Sequence, residues 1–214
     1  IGYNAGYAIS TGLYNTIIGG LAGDSLTGGH YNVAIGYYAL SSENAHGTNV
    51  AIGTNALLTL DAGQDGYNVV IGHDAGKAMT TGISNTLIGG QAGDALTTGS
   101  DNTAIGAYAL SAENAHGRNV AIGRGALYTL DAGADAYNTA VGYNAGIVMT
   151  TGLKNTIIGG NAGDALNGGH YNVAVGFEAL SAEDGHGRNV AIGYQALLAQ
   201  DAGDDAYNVA VGYQ

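Results

Sequence analysis

The sequence predicts an all-β fold, a parallel β-solenoid (β-roll), and three observations carry that reading. One phrase, Asn-Val-Ala-Ile-Gly-x-x-Ala-Leu and its variants, recurs along the whole chain. The recurrences are 17, 17, 17 and 19 residues apart, and that cycle of 70 residues repeats. Most units alternate β-branched residues with a central alanine before a glycine. Units this short cannot form helical hairpin repeats, which need about 33 residues or more. Glycine at fixed places costs a helix about 1 kcal/mol each relative to alanine.

The elements follow in order. Every unit opens on an asparagine: Asn15, Asn32, Asn49, Asn68, Asn85, Asn102, Asn119, Asn138, Asn155, Asn172, Asn189 and Asn208. If successive coils stack at the inter-strand spacing of about 4.8 Å, these twelve form a ladder of amides. Next comes a short strand, with its β-branched first and third residues on one face and the residue between them on the other. The β-branched pair is expected to fill a thin interior, and the small middle residue to mark where another chain comes close. A glycine then breaks the strand at a bend: Gly19, Gly36, Gly53, Gly72, Gly89, Gly106, Gly123, Gly142, Gly159, Gly176, Gly193 and Gly212. A second short strand and a polar loop close the unit. Residues 1–214 thus read as a single continuous solenoid shaft of about twelve coils in three 70-residue periods, a window from a longer array. At about 4.8 Å per coil its length is roughly 58 Å.

Composition narrows the function. The chain of 214 residues carries a net charge of −12, 39 glycines and no proline, cysteine or tryptophan. Such acidity repels phosphate backbones and argues against nucleic acid. No apolar run is long enough to cross a bilayer as a helix, and no disulfide is needed. One Ile, one Val and an occasional Leu per coil is little apolar bulk against a backbone ordering cost of about 1 kcal/mol or more per residue. That deficit favours association of several copies around a closed axis.

The repeated phrase at residues 32, 49, 102, 119, 172 and 189 resembles the repeats of trimeric autotransporter adhesin heads. It is more similar still to the Asn-Thr-Ala-Ile-Gly-Tyr-x-Ala-Leu repeats of bacteriophage tail fibres. The resemblance covers the whole chain and implies a β-roll in each chain, three chains about one axis, and a role in adhesion or host attachment. Adhesin head repeats are shorter than the 17 and 19 residues here. The family motif contributes shape, so no catalytic residues carry over and the chain is read as no enzyme.

Each candidate site has a plain structural role beside its functional one. Acidic loops of the 19-residue coils (Asp61 with Asp65, Asp131 with Asp135, Asp201 with Asp204 and Asp205) are the candidates for calcium, against the reading of solvated turns that block lateral pairing. Asp24, Asp94 and Asp164 in Gly-Gly-x-Ala-Gly-Asp lack the tandem glycine-rich pattern of calcium β-rolls and are read as bend caps. His46, His116 and His186 are four coils apart, too far to share one metal. Glu43 with His46 alone is too little for acid–base chemistry. The tyrosines before the ladder asparagines (Tyr14, Tyr31, Tyr67, Tyr137, Tyr171 and Tyr207) cover a coil edge, with a sugar-stacking platform as the alternative. The expectation is the homotrimeric structural shaft of an extracellular fibre, on a virion tail or cell surface, whose receptor or cell-surface glycan is met by a tip outside this segment. The alternatives are a self-assembling cell-surface filament, or a repeat surface that itself binds glycan with calcium at the acidic loops.

Overall fold

The structure, a computed structural model, describes residues 1–182, 185–201 and 203–214. Its strands are β1 (Thr16–Ile18), β2 (Val33–Ile35), β3 (Val50–Ile52), β4 (Val69–Ile71), β5 (Thr86–Ile88), β6 (Thr103–Ile105), β7 (Val120–Ile122), β8 (Thr139–Val141), β9 (Thr156–Ile158), β10 (Val173–Val175), β11 (Val190–Ile192) and β12 (Val209–Val211). Each begins directly after an opening asparagine and ends directly before a glycine, so the phrase sets strand length. Together they make one parallel sheet in simple sequential order, the topology of a β-solenoid. Register does not slip where a 19-residue coil intervenes: Val50 pairs with Val33 on one side and with Val69 on the other. The two extra residues are therefore absorbed by the loop.

The glycine after each strand has φ between 130° (Gly123) and 149° (Gly212). A Cβ on Gly106 would stand 2.6 Å from the carbonyl carbon and oxygen of Gly123 in the next coil. Both the dihedral and the space require glycine there.

Two expectations are corrected. Among the described residues no second strand follows the glycine. In the coil of β2, Tyr38 (φ 57°) and Leu40 (φ 50°) are left-handed while Tyr37 before them and Ala39 between them are not, and this alternation curls the backbone into turns. Left-handed backbone costs roughly 1–2 kcal/mol at a non-glycine residue. It persists here because these amides keep the coil-to-coil ladder going: Tyr38 N–H donates to the Gly20 carbonyl (3.1 Å) and Leu40 N–H to Ala56 (3.0 Å).

The second correction concerns the interior, which lies on the opposite face of the strands from the one expected. In β2 to β8 the middle residue is buried and the two flanking residues are half-buried. Alternation of period 2 says that two faces differ, without saying which one is inside. The coil's tight bends leave a narrow interior, and it is filled by Ala34, Ala51, Ala104, Ala121, Ala140, Ala174 and Ala191 together with the alanines three residues after each glycine. Leucines and methionines from the turns supply the bulk: Leu26, Leu40, Leu57, Leu60, Met79, Leu96, Leu110, Leu127, Leu130, Met149, Leu166 and Leu180. The Val, Thr and Ile columns face outward.

Interior volume is conserved by exchange between two positions six residues apart. An alanine at the strand centre goes with a leucine in the turn: Ala34 with Leu40, Ala51 with Leu57, Ala104 with Leu110, Ala121 with Leu127, Ala174 with Leu180, Ala191 with Leu197. A bulky centre goes with glycine: Ile17 with Gly23, Val70 with Gly76, Leu87 with Gly93, Ile157 with Gly163. A Cβ on Gly93 would meet Leu87 at 2.9 Å, and one on Gly23 would meet Ile17 at 3.2 Å. The β8 coil combines Ala140 with Gly146. Its space is taken from the neighbouring coils, since a Cβ on Gly146 would touch Leu127 at 3.1 Å and Ile157 at 3.2 Å.

Candidate functional sites

The asparagine column is a hydrogen-bonded stack, buried from Asn32 to Asn189. Each side-chain oxygen accepts the main-chain N–H of the asparagine in the next coil: Asn32 to Asn15 at 2.8 Å, Asn85 to Asn68 at 3.0 Å, Asn172 to Asn155 at 2.8 Å. The Nδ2 donates toward the closing loop of its own coil, from Asn15 to the Gly29 carbonyl (2.7 Å) and from Asn155 to Gly169 (2.8 Å). One side chain thus joins two coils and closes one, which satisfies buried polar groups on both sides. Asp24 and Asp94 also bridge coils, accepting the hydroxyls of Ser41 (2.6 Å) and Ser111 (2.5 Å).

The acidic loops divide their carboxylates between two tasks. Asp65, Asp135 and Asp205 accept the main-chain N–H of Gly47 (3.1 Å), Gly117 (3.1 Å) and Gly187 (2.9 Å) in the preceding coil. Asp135 and Asp205 also pair with Arg118 and Arg188. Asp61 and Asp131 go elsewhere. Asp61 joins Glu43 and His46, and Asp131 joins Glu113 and His116, with one ligand atom from each residue lying within 4.8 Å of the others. These trios span two coils, whereas the calcium candidates of the sequence lie within one acidic loop.

Glu43 and Glu113 are completely buried. Oε1 of Glu43 accepts the N–H groups of Asn44 (3.2 Å) and His46 (3.3 Å), and Oε2 that of Ala62 (3.5 Å). Oε1 of Glu113 accepts His116 N–H at 3.2 Å, whereas its Oε2 has no hydrogen-bond partner, although the nearby Ala132 amide still favours its charge. Burial pushes both carboxyls above the usual carboxylate range against the pull of these amides, and Asp61 and Asp131 add to the rise. Nδ1 of His46 lies 3.9 Å from Glu43 Oε1 and that of His116 lies 3.7 Å from Glu113 Oε1; both nitrogens are buried without a hydrogen bond. The sequence signal for these trios was the Glu-x-x-His pair placed one coil before the acidic one, a relation that only the coil register makes visible.

Tyrosines and cations share surface columns. Tyr14 stacks on Tyr31 with ring centroids 5.1 Å apart. Arg188 lies between Tyr171 (5.6 Å) and Tyr207 (5.4 Å), and Lys154 lies over Tyr171 at 5.3 Å. Arg124 stands 5.8 Å from Tyr108 and 5.9 Å from Tyr143, beside a cavity of about 330 Å³ lined by Tyr108, Arg124, Gly125, Tyr128, Asn144 and Ile147. In the first period the same place is closed by Asn55, whose Nδ2 donates to Asp74 at 2.7 Å. Gly125 has no side chain to repeat this, and the buried Oδ1 of Asn144 is left without a partner.

Among the described residues no helix is long and apolar enough to cross a membrane. Comparison with family models, with curated proteins and with solved structures finds no match for this chain.

Proposed function

We propose that this chain is a shaft segment of an extracellular fibre, on a virion tail or a cell surface, and that it works as a homotrimer with no catalytic role. The observation that supports this reading is the outward face of the sheet. Twelve strands in register carry Val or Thr in one outer column and Ile or Val in the other. These residues are half-buried along most of the rod and exposed at its ends. A continuous, largely apolar strip of this length is suited to interaction, and a second chain laid along it removes it from water. The number three rests on the likeness to fibre and adhesin repeats. A rigid spacer of this kind holds a receptor-binding tip away from its anchor. The test is sedimentation equilibrium at micromolar concentration. A trimer is expected, and the Ile88→Asp, Ile105→Asp double variant should fall to monomer with its β circular dichroism intact. A monomeric wild type sinks the reading.

The cavity beside Arg124 favours a second reading, in which the middle period binds an acidic sugar. Tyrosine faces suit a pyranose, the guanidinium a carboxylate, and the free Asn144 oxygen a hydroxyl donor. Quenching of tyrosine fluorescence by glucuronic acid, absent in Tyr108→Ala, is the expected result.

A further inference from the structure

We propose that Glu43, His46 and Asp61, and again Glu113, His116 and Asp131, form two copies of a zinc site that fastens the loop of a 17-residue coil to the 19-residue coil stacked on it. Four observations converge on this. The donor set is one imidazole and two carboxylates, which suits zinc, whereas calcium takes six or more oxygens. The histidine nitrogens are poised for a ligand: Nδ1 of His46 and of His116 is buried with no hydrogen bond, and 3.7–3.9 Å from the glutamate oxygen is too far for an N–H···O contact between them. Oε2 of Glu113, on a side chain with no exposed surface, also lacks a partner. The first glutamate is held from behind by the amides of residues 44, 46 and 62, the kind of support that orients a metal ligand.

Three other histidines make the contrast. Nδ1 of His30 accepts Leu13 N–H at 3.0 Å, and Nδ1 of His170 accepts Leu153 N–H at 2.9 Å, so those nitrogens are occupied by the fold itself. His73 is mostly exposed beside Asp74. Against these, Nδ1 of His46 and of His116, each in a Glu-x-x-His loop that precedes a 19-residue coil, is left open. The ligand atoms lie within 4.8 Å of one another. A zinc ion about 2.0–2.2 Å from each donor draws them closer. The exposed Asp61 and Asp131 are the residues placed to make that adjustment. Three protein ligands leave the fourth position to water. Glu183, His186 and Asp201 stand at the same spacing in the third period, with Glu183 outside the described residues.

The test is calorimetric titration of the full chain, dialysed against EDTA and then freed of it, with zinc chloride. The expected result is uptake of two or three ions per chain and a melting temperature that rises with zinc and returns with EDTA. The variant carrying His46→Ala, His116→Ala and His186→Ala should take up at most a residual fraction, while one carrying His30→Ala, His73→Ala and His170→Ala should bind as the wild type does. If the first variant loses its β circular dichroism, Asp61→Asn with Asp131→Asn and Asp201→Asn, all at exposed carboxylates, replaces it with the same expectation. No uptake by the wild type, undiminished uptake by the folded variant, or equal heat from calcium chloride overturns the proposal.

Discussion

The neighbouring coils of β5 and β6 solve one packing problem in opposite ways. In β5 the strand contributes Leu87 and the turn gives way with Gly93; in β6 the strand contributes Ala104 and the turn fills in with Leu110. The backbone is the same in both, since Gly93 and Leu110 are both left-handed, at φ 56° and 53°. The cross-section is therefore fixed by the ladders of hydrogen bonds and the glycine bends, and side chains are chosen in pairs to fill it to normal interior density. What varies along the rod is which partner carries the volume.

That comparison can be broken most forcefully at Leu110. Leu110→Ala leaves two small residues where one large one is needed, and a loss of about 2–5 kcal/mol is expected for a buried Leu→Ala change. Ala104→Leu makes the opposite error, two large residues in one coil, at a cost of about 1–3 kcal/mol. The combination Ala104→Leu with Leu110→Gly recreates the β5 arrangement. It should recover most of the loss, so that a double-mutant cycle shows strong favourable coupling. Repeat arrays do not unfold strictly all-or-none. Amide exchange in the β5 to β7 coils is therefore the measurement, with the denaturation midpoint beside it. Additive losses would mean that the two positions do not share a volume.

Much of this architecture was legible in the sequence because a repeat writes its register directly. The twelve strands, their parallel order and the bends follow from the spacing of Asn15, Asn32 and Gly19, Gly36 and their successors. Two things were not legible, for physical reasons. The alternation in Val33, Ala34 and Ile35 shows that two faces differ, yet which one is inside depends on how tightly the coil closes, and that is set by left-handed turn residues such as Tyr38 and Leu40. No residue-type rule places a tyrosine or leucine at φ above 50°. The trios of Glu43, His46 and Asp61 were hidden because their members are close only across coils, at an offset of 18 rather than 17 residues between Glu43 and Asp61. The exchange of Ala34 with Leu40 for Ile17 with Gly23 was open to reading at a spacing of six, once the inner face was known.

A smaller effect tests a place where compensation is incomplete. Asn55 in the first period has become Gly125 in the second, and its partner position has changed from Asp74 to Asn144 without regaining a hydrogen bond. Gly125→Asn should raise stability by about 0.5–1 kcal/mol, through one new hydrogen bond and a less flexible unfolded chain. The left-handed backbone at Gly125 (φ 68°) is one that asparagine tolerates, as Asn55 does at φ 57°. The one tight contact of a Cβ there is the movable Asn144 Oδ1, at 2.8 Å, with Ile147 at an ordinary 3.6 Å. Thermal melting reads the gain, and loss of glucuronic acid binding would accompany it if the cavity is a sugar site.

The first-period counterpart carries the weakest effect and a pH signature that the second period lacks. Burial by itself would raise the Asp74 carboxyl, but the Asn55 amide, then Lys77 and His73, outweigh it and hold it below the ordinary carboxylate value. Between that folded value and the unfolded one of about 3.9, the unfolded chain binds more protons than the folded chain. Stability therefore falls as pH drops through the folded value, and the contribution is whole above about pH 5. Asp74→Asn gives the first period the uncharged residue found at Asn144 and should remove this component, so the gap between wild type and variant narrows on acidification. Denaturation midpoints at pH 6 and pH 3 measure it. A gap that widens at pH 3 would mean that the Asn55 contact does not favour the ionised carboxylate.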